Sequence, residues 1–395
     1  GSSLRLFGYS QPFWYYTFVA ASLQLVSRQL RANSCILHAA TPATMKSMIL
    51  LLPATIAALS APLSRRNAIT GSLAAAAVPG ASNAAPSAAV IGYDDVVLDL
   101  PCGARVPACV WLPSDGADAP PASYKYRISA GRLVKTILGL PTPDAIARTF
   151  ALDAPGVREA PGATVKDGTP VVVVAHGFLG TRFDLSKFGE ALAREGAVAI
   201  APDFDETLAG SYTPDKDGGS SRDKIVVAAL EHAKRRGATG AIGALGHSAG
   251  AATALKVPQA KGAVAIAGFG RDAVPDVPFL AIASEGDGAV PLKFVRERFP
   301  GDVKSIAVGV TPTTWPQRGV IAFAGADAPC HVSFLAPDVN VEMQNFLGPL
   351  LPVARFLKIP VLDFDKYGLL FDAERTAERC VPAATSFLRQ YVIKT

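Results

Sequence analysis

Residues 241–250 read Ala-Ile-Gly-Ala-Leu-Gly-His-Ser-Ala-Gly, and the reading of this stretch decides the fold. Its apolar half, 241–245, has the length and composition of a buried strand, and a helix is expected from Ala249 onward. Between them Gly246, His247, Ser248, Ala249 and Gly250 form a Gly-X-Ser-X-Gly string. A strand that turns into a helix over so few residues needs small residues two positions before and two positions after the serine, and both are glycine. Such a turn pushes the Ser248 side chain out beyond the sheet edge. With 35 glycines in 395 residues the string also arises by chance, so its weight depends on what surrounds it.

Upstream, Val171, Val172, Val173, Val174 and Ala175 form a run of mostly β-branched residues without polar alternation, the pattern of a strand buried on both faces of a parallel sheet. Alternating elements follow. Helices are expected at 186–194, 221–236, from 249 and at 372–391, with strands at 197–201, 241–245, 262–266, 278–283 and 319–324. This predicts an α/β fold: a mostly parallel sheet of about eight strands with helices on both faces. Apolar runs at 96–100 and 108–112, on either side of Gly103 and Ala104, add an antiparallel hairpin at one edge. The segment 115–168 is less regular, and in it Ile128, Leu133, Val134, Ile137 and Leu138 fall at helical spacing. It reads as a lid, as a surface that meets lipid, or simply as cover for the core. Gly240, Gly243 and Gly246 recur every three residues but make no G-x-G-x-x-G, and no cofactor is expected.

A serine hydroxyl is a poor nucleophile at neutral pH, so Ser248 acquires meaning only with a base and an orienting acid. In the α/β-hydrolases, whose nucleophile turn the Gly246 to Gly250 string resembles, they follow in the order serine, acid, histidine. Of His38, His176, His232, His247 and His331, only the last lies after Ser248, just beyond the expected strand 319–324. The acids between them are Asp272, Asp276, Glu285, Asp287, Glu297, Asp302 and Asp327. Asp287 is preferred because it follows the strand 278–283, at the sheet edge that carries Ser248 and His331. Glu285, in the same loop, is second, and Asp272 and Asp276 read as turn residues around Pro275. The oxyanion formed on attack needs two backbone N–H donors, assigned to Ala249 and to Phe178 in the loop His176-Gly177-Phe178-Leu179-Gly180. His176 is expected to hydrogen-bond within that loop. Phe178, Leu179, Phe183 and Phe334 are candidates for an acyl-binding site, with ordinary core as the competing reading.

The His176-Gly177-Phe178 loop, the Gly246 to Gly250 turn, Asp287 before Val290 and Pro291, and His331-Val332-Ser333-Phe334-Leu335 together resemble the α/β-hydrolase superfamily. The resemblance, over roughly residues 90–393, is nearest to the branch of dienelactone hydrolases, chlorophyllases and platelet-activating-factor acetylhydrolase-like esterases. It departs from plant chlorophyllases at Ala249, usually arginine there, and from dienelactone hydrolases at Ser248, where those use cysteine. The resemblance implies a serine hydrolase that cleaves carboxylic esters, of a small molecule or a lipid or pigment, through an acyl-enzyme. Chlorophyllase-type hydrolysis, acyl transfer and a non-catalytic lipid- or pigment-binding relative are the alternatives.

The net charge of +5 belongs to the N-terminal part. Residues 1–93 hold six basic side chains and no acidic one, leaving 32 basic against 33 acidic in the remainder, so nucleic acid is not an expected partner. Residues 1–44 read as an upstream extension; a membrane anchor around 13–26 falls short of the roughly 20 apolar residues a span needs. From Met45 a charged start, a short apolar run and small residues make a secretory-type leader. Arg65 and Arg66 then open a second, twin-arginine-like signal ending at Ser82-Asn83-Ala84. Two signals in tandem over 45–84 resemble the presequences of thylakoid-lumen proteins in algae with complex plastids; the alternative is one alanine-rich secretory leader. A hydrolase domain over 85–395, with peripheral membrane contact, is the resulting expectation. No cysteine pair has zinc-site spacing and no metal is expected; Cys102 and Cys109 read as a disulfide or as separate buried thiols.

Overall fold

The computed structural model describes residues 90–395 apart from 115–117, 130, 133–146, 213–220, 271–276, 300 and 348–372. The expected extension at 1–44, the leaders at 45–84, and Asp272 and Asp276 lie outside the described residues. So does most of the helical stripe from Leu133 onward.

In chain order the strands are β1 (Ile91–Asp99), β2 (Arg105–Pro113), β3 (Pro121–Ser129), β4 (Ala147–Glu159), β5 (Val171–Ala175), β6 (Val198–Pro202), β7 (Ile242–His247), β8 (Ala260–Ile266), β9 (Phe279–Ser284), β10 (Lys304–Ile306) and β11 (Arg318–Phe323). They form one sheet in the order β10-β11-β9-β8-β7-β5-β6-β2-β1-β4-β3. From β10 to β6 all neighbours are parallel. Every residue of β5, β6 and β9 is buried, as strands covered on both faces must be.

Six helices are described: α1 (Ser186–Arg194), α2 (Arg222–Arg235), α3 (Ala249–Ala254), α4 (Leu292–Arg296), α5 (Pro337–Leu347) and α6 (Ala373–Leu388). Alternate residues of β2 show how the two faces are covered. Ala108, Val110 and Leu112 join the core built with Ile225, Val226 and Ala229 of α2, whereas Trp111 turns the other way and lies against Gly189 of α1. The chain end packs directly on the sheet. A Cβ at Gly243 would stand 3.0 Å from a Val392 methyl, and one at Gly262 would stand 3.1 Å from the Tyr391 Cβ. Close helix-on-sheet approach is therefore what Gly243 serves.

The sheet is larger than the eight strands expected. Eleven strands are described, and the β1–β2 hairpin lies inside the sheet, flanked by β6 on one side and β4 on the other. The added hairpin, β3 with β4, comes from the segment read as a lid or helical cover. Ile128, taken as the first residue of a helical stripe, is a strand residue. Ala122, Tyr124 and Ile128 are all buried and share one face of β3, a period of two that the helical reading overlooked. The hairpin is anchored by chemistry distant in the chain: Trp111 Nε1–H donates to the Tyr124 hydroxyl at 2.8 Å, and that hydroxyl donates to Glu190 on α1 at 2.9 Å. The short edge strand β10 escaped notice because two of its three residues are exposed and leave no apolar pattern.

Cys102 and Cys109 are separate thiols. Cys109 lies in β2 opposite Asp95, buried, with the Tyr93 hydroxyl 3.5 Å from its sulfur, and burial pushes its thiol pKa up. Among the described residues no helix is long and apolar enough to cross a membrane.

Candidate active site

β7 delivers the turn and α3 receives it, with Ser248 alone between them at φ 56°, ψ −120°. A side chain in this left-handed region is strained by its own Cβ, and the surroundings must hold it. They do so by excluding any alternative path. A Cβ at Gly246 would strike the Gly250 carbonyl oxygen, one at Gly250 the Ala175 carbonyl oxygen, and one at Gly268 the carbonyl oxygen of Ser248 itself. The Ser248 N–H is tied to Ile266 at 2.8 Å, fastening the turn to the end of β8.

The histidine and its acid arrive from the ends of β11 and β9. His331 opens a single 3-10 turn, His331–Phe334, and Asp287 lies in the loop after β9. His331 Nδ1 is 2.8 Å from Asp287 Oδ2. The other carboxylate oxygen accepts from the backbone N–H groups of Ala289 at 2.9 Å and Val290 at 2.7 Å. With its acceptors so directed, Asp287 requires the proton of neutral His331 on Nδ1 and leaves Nε2 bare. Asp287 is buried, whereas Glu285 is exposed and accepts instead from the Gly325 N–H at 3.1 Å. Of the two acids in that loop, the structure brings only Asp287 to the histidine. Gly286 turns the chain there against the Ala328 carbonyl, which draws the β9 loop and the histidine loop together.

The loop after β5 lies against the serine: a Cβ at Gly177 would be 3.0 Å from the Ser248 Cβ. His176 bonds within its own neighbourhood, as expected. Its Nε2 accepts from the Phe204 N–H at 2.9 Å, so Nδ1 carries the proton and donates to the Gly177 carbonyl at 2.7 Å. That carbonyl also accepts from the Gly180 N–H at 3.1 Å. Because a trans peptide points its C=O and N–H in opposite directions, pinning the Gly177 carbonyl directs the Phe178 N–H away from His176. Among the described residues, neither that N–H nor the Ala249 N–H donates to a protein acceptor. Burial, with Arg222 beside it, lowers the His176 pKa and keeps the ring neutral.

Three of the candidates for an acyl-binding site are placed otherwise than expected. Phe183 is fully buried, its ring 5.5 Å from that of Tyr124 and under the Arg182 guanidinium, because the β3 strand covers it. Phe334 is buried between Phe323 and His247. Leu179 is buried at φ 60°, in the tight turn closed by Gly180. These three are packed as core. Phe178, named both for its backbone N–H and as a lining residue, is the member of the loop whose side chain faces outward, 44% exposed.

Two buried groups beside the site were missed by reading the sequence. One is His247, set aside in the sequence because it precedes Ser248. The other is Asp184, whose main-chain carbonyl accepts from Ala336 at 2.7 Å and so joins the oxyanion-loop side to the histidine loop. Its carboxyl accepts from the Thr181 hydroxyl at 2.9 Å, and burial pushes its pKa up to about 7. An acid with a raised folded-state pKa binds more protons folded than unfolded, so its contribution is greatest at acid pH and is lost as pH rises from 3.8 through about 7. Asp184→Asn is expected to remove that dependence. The variant should unfold at a higher temperature than the parent at pH 8 and close to it at pH 4. Melting curves at the two pH values check this.

No family model and no curated protein matches the chain. Similar solved structures include a ferulic acid esterase from Streptomyces cinnamoneus, at 17% identity over 79% of this chain and 93% of that one, with a TM-score of 0.44. A putative dienelactone hydrolase from Klebsiella pneumoniae shares 15% identity over 68% and 98%, TM-score 0.36. A cold-adapted esterase from an Arctic intertidal metagenomic library shares 14% over 67% and 94%, TM-score 0.38. On its own strand-turn-helix at Ser248, the loop after β5 that lies against it, and the chain order Ser248, Asp287, His331, the described part of this chain has the α/β-hydrolase fold.

Proposed function

We propose that the protein is a serine hydrolase that cleaves carboxylic esters through an acyl-enzyme. The observation that carries the reading is the His331–Asp287 pair at 2.8 Å, which places the neutral ring's proton on Nδ1, on the same sheet edge as a serine held at φ 56°. In this reading His331 Nε2 takes the Ser248 hydroxyl proton as the oxygen attacks the ester carbonyl. The N–H groups of Phe178 and Ala249 hold the oxyanion. Collapse of the tetrahedral intermediate breaks the ester C–O bond, and His331 returns the proton to the departing alcohol. Water, activated by the same nitrogen, then releases the acid and restores Ser248.

A lipid-like or pigment ester is the substrate class we favour, because Phe178 exposes an aromatic ring in the loop whose Gly177 lies against Ser248. The tandem leader supports a plastid destination, the thylakoid lumen in particular, with secretion as the alternative. Chlorophyllase-type hydrolysis and acyl transfer use the same acyl-enzyme and differ only in the ester supplied or in the acceptor that replaces water.

The test is to expose the purified chain to a nitrophenyl ester and a fluorophosphonate probe. Hydrolysis with stoichiometric labelling at Ser248 is expected. Folded protein that does neither would favour the non-catalytic, lipid-binding relative.

A further inference from the structure

His247 ends β7 and is followed directly by Ser248; its side chain is 4% exposed. Its ring touches two other parts of the site. Nε2 is 2.9 Å from the main-chain carbonyl oxygen of His331, and since a carbonyl only accepts, Nε2 carries the proton. Nδ1 is then a bare acceptor, and it has no hydrogen-bond partner. It faces the Gly177 α-carbon: a Cβ there would lie 3.2 Å from Nδ1, in the same narrow space as the Ser248 Cβ. The ring centroid is 4.6 Å from that of His331.

An unpaired buried acceptor is a cost that an apolar residue of similar shape would not carry. What a histidine adds at this place is the one donor that reaches His331. We propose that His247 is a positioning residue: one rigid ring, continuous with the nucleophile's own backbone, sets the main chain of His331 and the Gly177–Phe178 loop relative to Ser248. The proposal rests on the reading of Ser248 and His331 as nucleophile and base. It also accounts for glycine at 177, since any side chain there displaces the ring from the loop. Burial, with His331 next to it, holds the His247 pKa well below the ordinary histidine value, so the ring stays neutral beside a base that becomes cationic during the reaction. A proton on Nδ1 has no acceptor to meet.

The test uses three variants. His247→Gln puts an amide N–H where Nε2 stood, His247→Asn puts it nearer the Nδ1 position and short of His331, and His247→Phe keeps a ring without a donor. With a nitrophenyl ester, Asn and Phe are expected to lower kcat by about tenfold to a hundredfold, the scale of a misplaced reacting group. KM should stay within about twofold of the parent, and Gln should recover most of the loss. Fluorophosphonate labelling rates should follow kcat. Nitrogen-15 shifts of the His247 ring in the parent should show Nε2 protonated and Nδ1 bare at pH 7. A folded Asn or Phe variant with parental kcat, an equal loss in all three, or a protonated Nδ1 overturns the proposal while leaving the esterase reading intact. A parent protein that neither hydrolyses nor labels overturns the esterase reading itself, and the positioning role of His247 with it.

Discussion

Ser248→Ala is expected to lower kcat by about a millionfold, the loss seen when a nucleophile that works together with its base is removed. The substitution isolates chemistry from folding. The positive φ at 248 is a strain between the backbone and a Cβ, and alanine has the same Cβ. The glycines that force the turn are untouched, and the Ser248 side chain contributes no cap hydrogen bond to α3. The melting temperature should therefore stay within a degree or two of the parent, roughly the shift of a surface substitution. Initial rates on a nitrophenyl ester and labelling by a fluorophosphonate should both fall to background. A variant that folds and keeps its rate removes Ser248 from the mechanism.

Asp287→Asn should cost about ten-thousandfold in kcat, and the hydrogen bonds say why. One carboxylate oxygen is held by the N–H groups of Ala289 and Val290, which need an acceptor. The amide oxygen will take that place, and the amide NH2 will then face His331 Nδ1. Two donors cannot face each other, so His331 must move its proton to Nε2, the nitrogen that has to be bare to accept from Ser248. The loss is one of tautomer, with the fold unchanged. Glu285→Gln is the matched control: Glu285 is exposed and bound to the Gly325 N–H, an acceptor role that the glutamine oxygen keeps. Its kcat should remain within about twofold of the parent, a surface substitution in effect. Equal losses in the two variants would reverse the assignment of the acid.

Local steric and periodic features were legible from residues alone. The Gly246 to Gly250 turn depends on contacts within a few residues and on the ends of β5 and β8, and a glycine pair around a serine states that demand openly. The fully apolar runs of β5 and β9 announced strands covered on both faces. His331 was found by chain order, and Asp287 was preferred to Glu285 by its place after a strand. What separates those two acids is the direction of each side chain, and only the folded loop shows that. The β3–β4 hairpin was misread because its burial is long-range. Tyr124 needs Trp111 and Glu190, 13 and 66 residues away, to be satisfied inside the protein. The same limit hid the placement of Phe183, which looks like a pocket residue until β3 covers it.

By itself, then, the sequence determined the class of sheet and the turn at Ser248, because each is a matter of short-range sterics and hydrophobic period. The tertiary structure alone decided the eleven-strand extent of the described sheet, the pairing of Asp287 with His331 and the tautomers of His176 and His247. A tautomer is set by whichever donor or acceptor the fold brings to the ring, and the partner of His247 lies 84 residues along the chain.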